Sequence, residues 1–121
     1  MTIHHVAVAV TDLERARHFY GAVLGLAEIE RPAFNFPGAW FAAGEAQIHL
    51  IVNTQARTLR GTLGIDSHDG HFALRVGPHD EMLRRLEVHG VPHRERAPSV
   101  VEWKRIFVSD PDGNVLELIT E

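Results

Sequence analysis

Apolar and polar residues alternate along the first stretch of the chain, Ile3–Val10, so that three valines fall on one face and histidine and alanine on the other. This two-residue period is typical of a β-strand with one buried face. The period then changes to that of a helix ending at Gly25, and the spacing of Thr11 and Glu14 predicts a capping box at its start. The predicted buried stripe of this helix consists of Leu13, Ala16, Phe19, Tyr20, Val23 and Leu24.

The remainder of the first half predicts strands followed by a linker. Trp40–Ala43 and Gln47–Val52 form a predicted hairpin around a Gly-Glu turn, and a weaker pattern near Glu28–Arg31 indicates one further strand. The polar, glycine-containing residues from about 54 to 69 are the predicted linker. It separates a first unit, about residues 1–53, from a second unit, about residues 70–121.

The second half repeats this order of elements. His71–Val76 alternates as a strand, and His79–His89 has the spacing of a helix that ends at a glycine. Lys104–Ser109 and Val115–Thr120 form a final hairpin around an Asp-Pro-Asp-Gly-Asn turn, and a weaker strand pattern lies near Pro92–Arg96. The sequence therefore predicts an α+β fold of two tandem βαβββ units that form a curved mixed sheet.

Composition narrows the class of protein. A chain of 121 residues, 45% of them hydrophobic, is long enough for one compact domain. It has no run of about 18 apolar residues, which excludes a membrane-spanning helix. A net charge of −4 without a cluster of lysine or arginine argues against nucleic-acid binding. The lack of cysteine and of a leader-like pattern at the N-terminus favours a cytoplasmic protein, in which imidazole and carboxylate are the available ligands for a transition metal.

Nine histidines are the unusual feature of the composition. The repeat matches His5 with His71 on the opening strands and His49 with Glu117 on the closing strands, at similar separations of 66 and 68 residues. All four lie on the strand face that does not carry the apolar row. A single histidine on a strand is more often a hydrogen-bonded structural residue. Four matched positions nevertheless predict a cleft with one divalent metal ion per chain: zinc, nickel, manganese or iron.

The other histidines are assigned to other environments. His4 faces the core if the first strand is regular, although a bulge would exchange it with His5. His68, beside Asp69, is placed in the linker. Solvated positions on helix or loop surfaces are predicted for His18, His79, His89 and His93.

Four segments carry a family resemblance that covers nearly the whole chain. They are HHVAVAVTDLERARHFYGAVLGL from His4, QIHLIV from Gln47, GHFALRV from Gly70 and FVSDPDGNVLELI from Phe107. Through them the chain resembles the vicinal oxygen chelate superfamily. That superfamily includes glyoxalase I, methylmalonyl-CoA epimerase, fosfomycin-modifying enzymes, bleomycin-binding proteins and extradiol dioxygenases.

The resemblance implies metal ligands at His5, His71 and Glu117. It places a fourth ligand at the position of His49. Glyoxalases and epimerases often have glutamate or glutamine at this position, so the histidine leaves the identity of the metal and the reaction open. It also implies a small-molecule substrate and a homodimer. In glyoxalase I-like relatives the ligands of one site come from both chains.

The implied activity is that of a glyoxalase-like lyase or isomerase, which removes a proton beside the carbonyl of a small carbonyl or thioester substrate and passes through an enediolate. Glu117 is the expected base. An antibiotic-modifying thiol transferase is disfavoured by Ala7, at a position where the fosfomycin enzymes carry threonine. An extradiol-type dioxygenase is disfavoured by the short chain. A non-catalytic small-molecule-binding protein is the remaining alternative.

Four residues are candidates for binding the substrate. Arg75 shares the predicted ligand-bearing face and is the main candidate for contact with a substrate anion. Trp40, Trp103 and Arg105 could line the cleft, or equally lie at its rim or in a dimer interface.

Overall fold

Two four-stranded sheets, one in each half of the chain, form the framework of the computed structural model, which describes residues 1–121. The chain divides into unit 1, Met1–Arg60, and unit 2, Gly61–Glu121, with a boundary inside the segment predicted as a linker. In chain order the elements are β1 (His5–Val10), α1 (Leu13–Arg17), a π-helical turn (His18–Val23), β2 (Ala27–Ile29), β3 (Gly38–Ala43), β4 (Ala46–Val52), β5 (His71–Arg75), α2 (His79–Val88), β6 (His93–Arg96), β7 (Lys104–Ser109) and β8 (Val115–Thr120).

Unit 1 has the strand order β1-β4-β3-β2, in which β1 runs parallel to β4 and the other neighbours are antiparallel. One face of this sheet is its core, where Val8, Ile48 and Phe41 are buried. The helical segment adds Tyr20, whose ring centroid lies 6.2 Å from that of Phe41. Because burial of a large apolar side chain stabilises by roughly 1.5–3 kcal/mol, the predicted helical stripe holds this segment on the sheet.

The start of α1 differs from the predicted capping box. Asp12, not Thr11, is the N-cap, and its Oδ1 accepts a hydrogen bond of 2.9 Å from the backbone N–H of Arg15. Aspartate caps a helix at least as well as threonine, so the helix begins one residue later than predicted. The Glu14 side chain, which the capping box would have used, instead forms an ion pair of 2.6 Å with Arg17.

Unit 2 repeats the arrangement, with the strand order β5-β8-β7-β6 and β5 parallel to β8. Both helical segments are followed by the predicted glycine in the left-handed conformation, Gly25 in unit 1 and Gly90 in unit 2. The buried apolar residues that α2 and the two central strands share include Met82, Leu86, Ile106, Leu116 and Leu118.

The two strands with thin sequence patterns are present as β2 and β6, each paired with the neighbouring hairpin strand at one side of its sheet. The predicted α+β class and the two tandem βαβββ units are confirmed. None of the helices has the length and apolar character that crossing a bilayer requires.

His79 does not lie on a solvated surface as predicted. It is buried at the start of α2, with Nδ1 2.7 Å from Oγ1 of Thr120 and Nε2 2.8 Å from Oε1 of Glu95. The prediction was wrong because α2 begins beside the end of β8 and the middle of β6, and local spacing does not reveal this long-range contact.

Two other histidines also differ from expectation. His4 precedes β1, which begins at His5, so His4 is exposed and does not face the core. His93 begins β6 half-buried, and its Nδ1 donates to the backbone oxygen of Val91 at 2.7 Å. The histidines that are exposed as predicted are His18 and His89, and His68, which was assigned to the linker, is also exposed.

Candidate metal centre

His49 lies in the middle of the unit 1 sheet, on the face opposite its apolar core. It pairs directly with Ala7 of β1 and Trp40 of β3, and directly opposed residues of neighbouring strands point to the same face. Its ring is stacked on Trp40, at 4.0 Å between centroids and 4° between planes, and on His5, also at 4.0 Å. The small Ala7 side chain leaves room for His5, two residues earlier, to lean over the His49 ring.

Burial favours a neutral His49, and a hydrogen bond fixes its tautomer. Its Nε2 lies 2.8 Å from Oε1 of Gln47, and since an amide oxygen only accepts, Nε2 carries the proton and Nδ1 carries the lone pair. Burial lowers the pKa of His49 from its ordinary 6.5, and the neighbouring His5, His4 and Arg31 lower it further. The neutral imidazole is the form that binds a metal ion.

His71 and Glu117 form the matching pair in unit 2. Glu117 pairs directly with Ala73 of β5, and His71 is two residues earlier on that strand. Nδ1 of His71 donates to the backbone oxygen of Asp69 at 2.8 Å, and its Nε2 lies 3.2 Å from Oε2 of Glu117. In neutral His71, Nε2 and the carboxylate oxygen are therefore two acceptors in contact. Either a second proton on the ring or a cation shared by the two atoms would satisfy both.

The two oxygens of Glu117 have different neighbours. Oε2 faces His71, whereas Oε1 lies 3.8 Å from Nη1 of Arg105. Phe107, which pairs directly with Glu117, presents its ring at 76° to that of His71, with 5.5 Å between centroids. The side chains of His71 and Glu117 are only 23% and 14% exposed, so this pair is partly shielded from solvent.

The chemistry of the two pairs fits a divalent transition metal. Three imidazoles and one carboxylate are a normal donor set for zinc, nickel, iron or manganese. The hydrogen bonds from His49 to Gln47 and from His71 to Asp69 fix the ring tautomers, as the second hydrogen bonds of metal-bound histidines do. Unit 1 brings His5 against His49, and unit 2 brings His71 against Glu117. No group of three or more His, Asp or Glu side chains that could hold a metal ion is present in the chain.

The predicted substrate residues have different positions. Trp40 stacks on His49, and Arg105 lies beside Glu117. Arg75 shares the face of His71 through the alternation along β5. Trp103 is exposed in the segment before β7 and belongs to neither pair.

Sequence reasoning missed two groups around these pairs. Gln47 could have been found, because it lies two residues before His49 and therefore shares its strand face. The backbone oxygen of Asp69 had no sequence signal. Arg31, which contributes to the lowered pKa of His49, makes cation–π contacts at 5.0 Å with Phe34 and 4.9 Å with Phe36, and these contacts depend on the conformation of the loop.

Comparison with known proteins identifies the family of this chain. The profile of the Glyoxalase/Bleomycin resistance protein/Dioxygenase superfamily matches residues 2–118. Lactoylglutathione lyase of Salmonella typhimurium is 32% identical, and the match covers 98% of this chain and 92% of that protein.

Solved structures give the same result. A glyoxalase family protein from Bacillus anthracis has a TM-score of 0.80 at 30% identity, with 100% of this chain and 95% of that chain covered. A second structure is a mutant fosfomycin resistance protein from Listeria monocytogenes, complexed with Mn(II) and a dihydroxypropylphosphonic acid. Its TM-score is 0.76 at 20% identity, with 99% of this chain and 91% of that chain covered, which shows a shared fold alone. The profile match over almost the entire chain, with the relatives that span it, shows that this chain belongs to the Glyoxalase/Bleomycin resistance protein/Dioxygenase superfamily.

Proposed function

We propose that this chain is a metal-dependent lyase or isomerase of the glyoxalase type. It acts on a small carbonyl or thioester substrate by moving a proton at the carbon beside the carbonyl, through an enediolate. Relatives named lactoylglutathione lyase, at 28–32% identity, support this class of reaction. The proposed ligands of one divalent ion per chain are His5, His49, His71 and Glu117.

The observation that carries the proposal is the contact between His71 and Glu117. When His71 is neutral, its Nε2 and Oε2 of Glu117 are two acceptor atoms 3.2 Å apart, and the hydrogen bond from His71 to Asp69 orients the ring, so the pair offers a preorganised place for a cation. His49 adds a buried imidazole that burial keeps neutral, so no proton has to leave it before it binds. A divalent ion held by these residues would polarise a substrate carbonyl and stabilise the negative charge of the enediolate.

Glu117 is the proposed base. Its two oxygens face different groups, so Oε2 can serve as a ligand beside His71 while Oε1 is left to accept a proton. The carboxylate is 14% exposed, which limits competition from bulk water for that proton. Positioned general bases typically contribute about 10²–10⁴-fold to a rate.

The test is incorporation of solvent deuterium into methylglyoxal–thiol adducts and acyl-CoA esters by metal-loaded protein. Wild type should exchange the proton beside the carbonyl, and Glu117→Gln should lower the exchange rate by at least about 10²-fold. The matched control is Glu87→Gln, which neutralises an exposed carboxylate on α2 and should leave the rate unchanged. No exchange with any of these substrates, in protein with a full metal site, would overturn the proposal in favour of a transferase or a binding protein.

A further inference from the structure

Arg105 has a buried side-chain donor that makes no hydrogen bond, its Nε. The guanidinium forms a long ion pair with Glu117, at 3.8 Å between Nη1 and Oε1, and lies 5.8 Å from the centroid of the Phe107 ring. The side chain is only 23% exposed, and leaving a buried N–H donor unsatisfied is unfavourable.

Arg105 belongs to a row of arginines across the unit 2 sheet. It pairs directly with Arg96 of β6 on one side and with Ile119 of β8 on the other, and Ile119 pairs with Arg75 of β5. Directly opposed residues share a face, so three arginine side chains leave the same face of the sheet in one row, with an isoleucine between two of them. Like charges in directly opposed positions destabilise a sheet. An anion bound between the arginines would remove this repulsion.

One carboxylate on this face faces three arginines, so the row keeps an excess of positive charge. Among the strand residues that point to it, Glu117 is the only carboxylate, and Arg94 adds a fourth guanidinium in the neighbouring row. Arg75 forms no ion pair, and Arg96 makes only a 3.4 Å contact with the backbone oxygen of Glu95. The helix does not cover this face, because His79 of α2 contacts Thr120 and Glu95, whose side chains point to the opposite one.

We infer that Arg105, Arg75 and Arg96 form an oxyanion site, which binds a carboxylate or phosphoryl group of the substrate through charge-assisted hydrogen bonds. That an anion binds here follows from the arginines alone. That this anion is part of the substrate rests on the proposed function. The bidentate geometry of a guanidinium suits both kinds of oxyanion.

The position of the row indicates where the anion lies relative to the proposed base. Arg105 and Ile119 are each two residues along their strands from Phe107 and Glu117, which corresponds to about 7 Å along the backbone. The guanidinium of Arg105 nevertheless lies only 3.8 Å from Oε1 of Glu117. An anion bound by Arg105 therefore lies close to the carbonyl that reacts beside Glu117.

The binding test uses sodium phosphate and sodium acetate, titrated into metal-loaded and EDTA-treated protein by calorimetry, with sodium chloride at equal ionic strength as the reference for screening. Wild type should bind at least one of the two oxyanions saturably. Arg105→Gln should weaken binding by at least about tenfold, and Arg75→Gln, at an exposed position that is safe for folding, should weaken it severalfold. The matched control is Arg84→Gln, which removes one exposed charge from α2 and should bind as wild type does.

Phosphate binding alone would identify a phosphoryl group, and acetate binding alone a carboxylate. The site is refuted if neither oxyanion binds better than chloride, or if both Arg105→Gln and Arg75→Gln bind like wild type. The two proposals fail separately: absent deuterium exchange with intact arginine-dependent binding overturns the reaction and not the site. Exchange without oxyanion binding overturns the site and not the reaction.

Discussion

His71 and Glu117 show how a single contact can indicate the chemistry of a site. The ring nitrogen and the carboxylate oxygen lie 3.2 Å apart, although the hydrogen bond from Nδ1 to Asp69 leaves the neutral ring with an acceptor at Nε2. Such a pair is stable when a proton or a metal ion lies between the two atoms. The metal hypothesis at the residue scale depends on this pair more than on the number of histidines.

The first prediction concerns these two ligands. His71→Ala and Glu117→Ala should each remove the bound metal, and with it the rise in Tm that metal produces in wild type, because binding to the folded state alone stabilises by mass action. His68→Ala is the control, since its exposed side chain in unit 2 belongs to neither pair. Metal content by elemental analysis and Tm with and without metal are the measurements. Full metal content in Glu117→Ala would contradict the proposed ligand set.

The second prediction follows from the pKa of His49 in metal-free protein. Burial lowers this pKa below the ordinary 6.5, so below that pH the unfolded chain binds more protons than the folded chain. The contribution of His49 to stability is therefore complete above about pH 6.5 and is lost as the pH falls towards the folded pKa. Urea unfolding of wild type and His49→Gln between pH 5 and 8 should give a smaller loss on acidification in the variant. Equal slopes in the two proteins would show that His49 is not held neutral.

At the scale of elements, the Asp-Pro-Asp-Gly-Asn turn between β7 and β8 has a tertiary role. Gly113 has a φ of 86°, and a Cβ added there would lie 2.0 Å from the backbone oxygen of Thr62. The turn that leads to Glu117 thus packs against the start of unit 2. This close approach, together with the conformation, requires glycine.

The third prediction compares two glycines that share a positive φ. Gly44, in the β3–β4 turn, has a φ of 62° and open space around it, so Gly44→Ala should cost only the roughly 1–2 kcal/mol of left-handed backbone strain. Gly113→Ala adds the overlap with Thr62 and should lower the free energy of unfolding considerably more. Urea denaturation of both variants gives the comparison. Equal losses would mean that the segment around Thr62 moves aside at little cost.

At the scale of the whole molecule, the four proposed ligands come from both units, one pair from each. The family resemblance predicts a homodimer whose sites take ligands from both chains. A site made by one chain and a site made by two chains use the same residues, so mutant chains must be mixed to distinguish them.

The fourth prediction uses such a mixture. His49→Ala damages only the pair of unit 1 and Glu117→Ala only the pair of unit 2. If the sites are shared between chains, a heterodimer of the two variants has one intact site and one doubly damaged site. Refolding the two variants together should then restore about half of the wild-type metal content in each heterodimer. If each site lies within one chain, refolding them together should restore no metal binding. Sedimentation velocity checks that the wild type is a dimer. A monomer at tens of micromolar that retains metal would rule out both the homodimer and the shared site.

The sequence by itself determined the strands, the helical segments, the repeat and the matched positions of the proposed ligand pairs. The reason is that periods of two and of three to four residues are local properties: Ile48 and Leu50 on one face of β4 place His49 on the other, and Leu116 and Leu118 do the same for Glu117. Regular alternation therefore determines on which face of a strand each side chain lies, independently of the rest of the fold.

The tertiary structure alone decided which groups these side chains contact. The stacking of His49 on Trp40, the burial of His79 against Thr120 and the unsatisfied Nε of Arg105 all depend on which strands lie side by side and in which register. Residues that are distant in sequence become neighbours through strand pairing and helix packing. Their charges, hydrogen bonds and unsatisfied donors therefore arise only when the long-range contacts of the fold have formed.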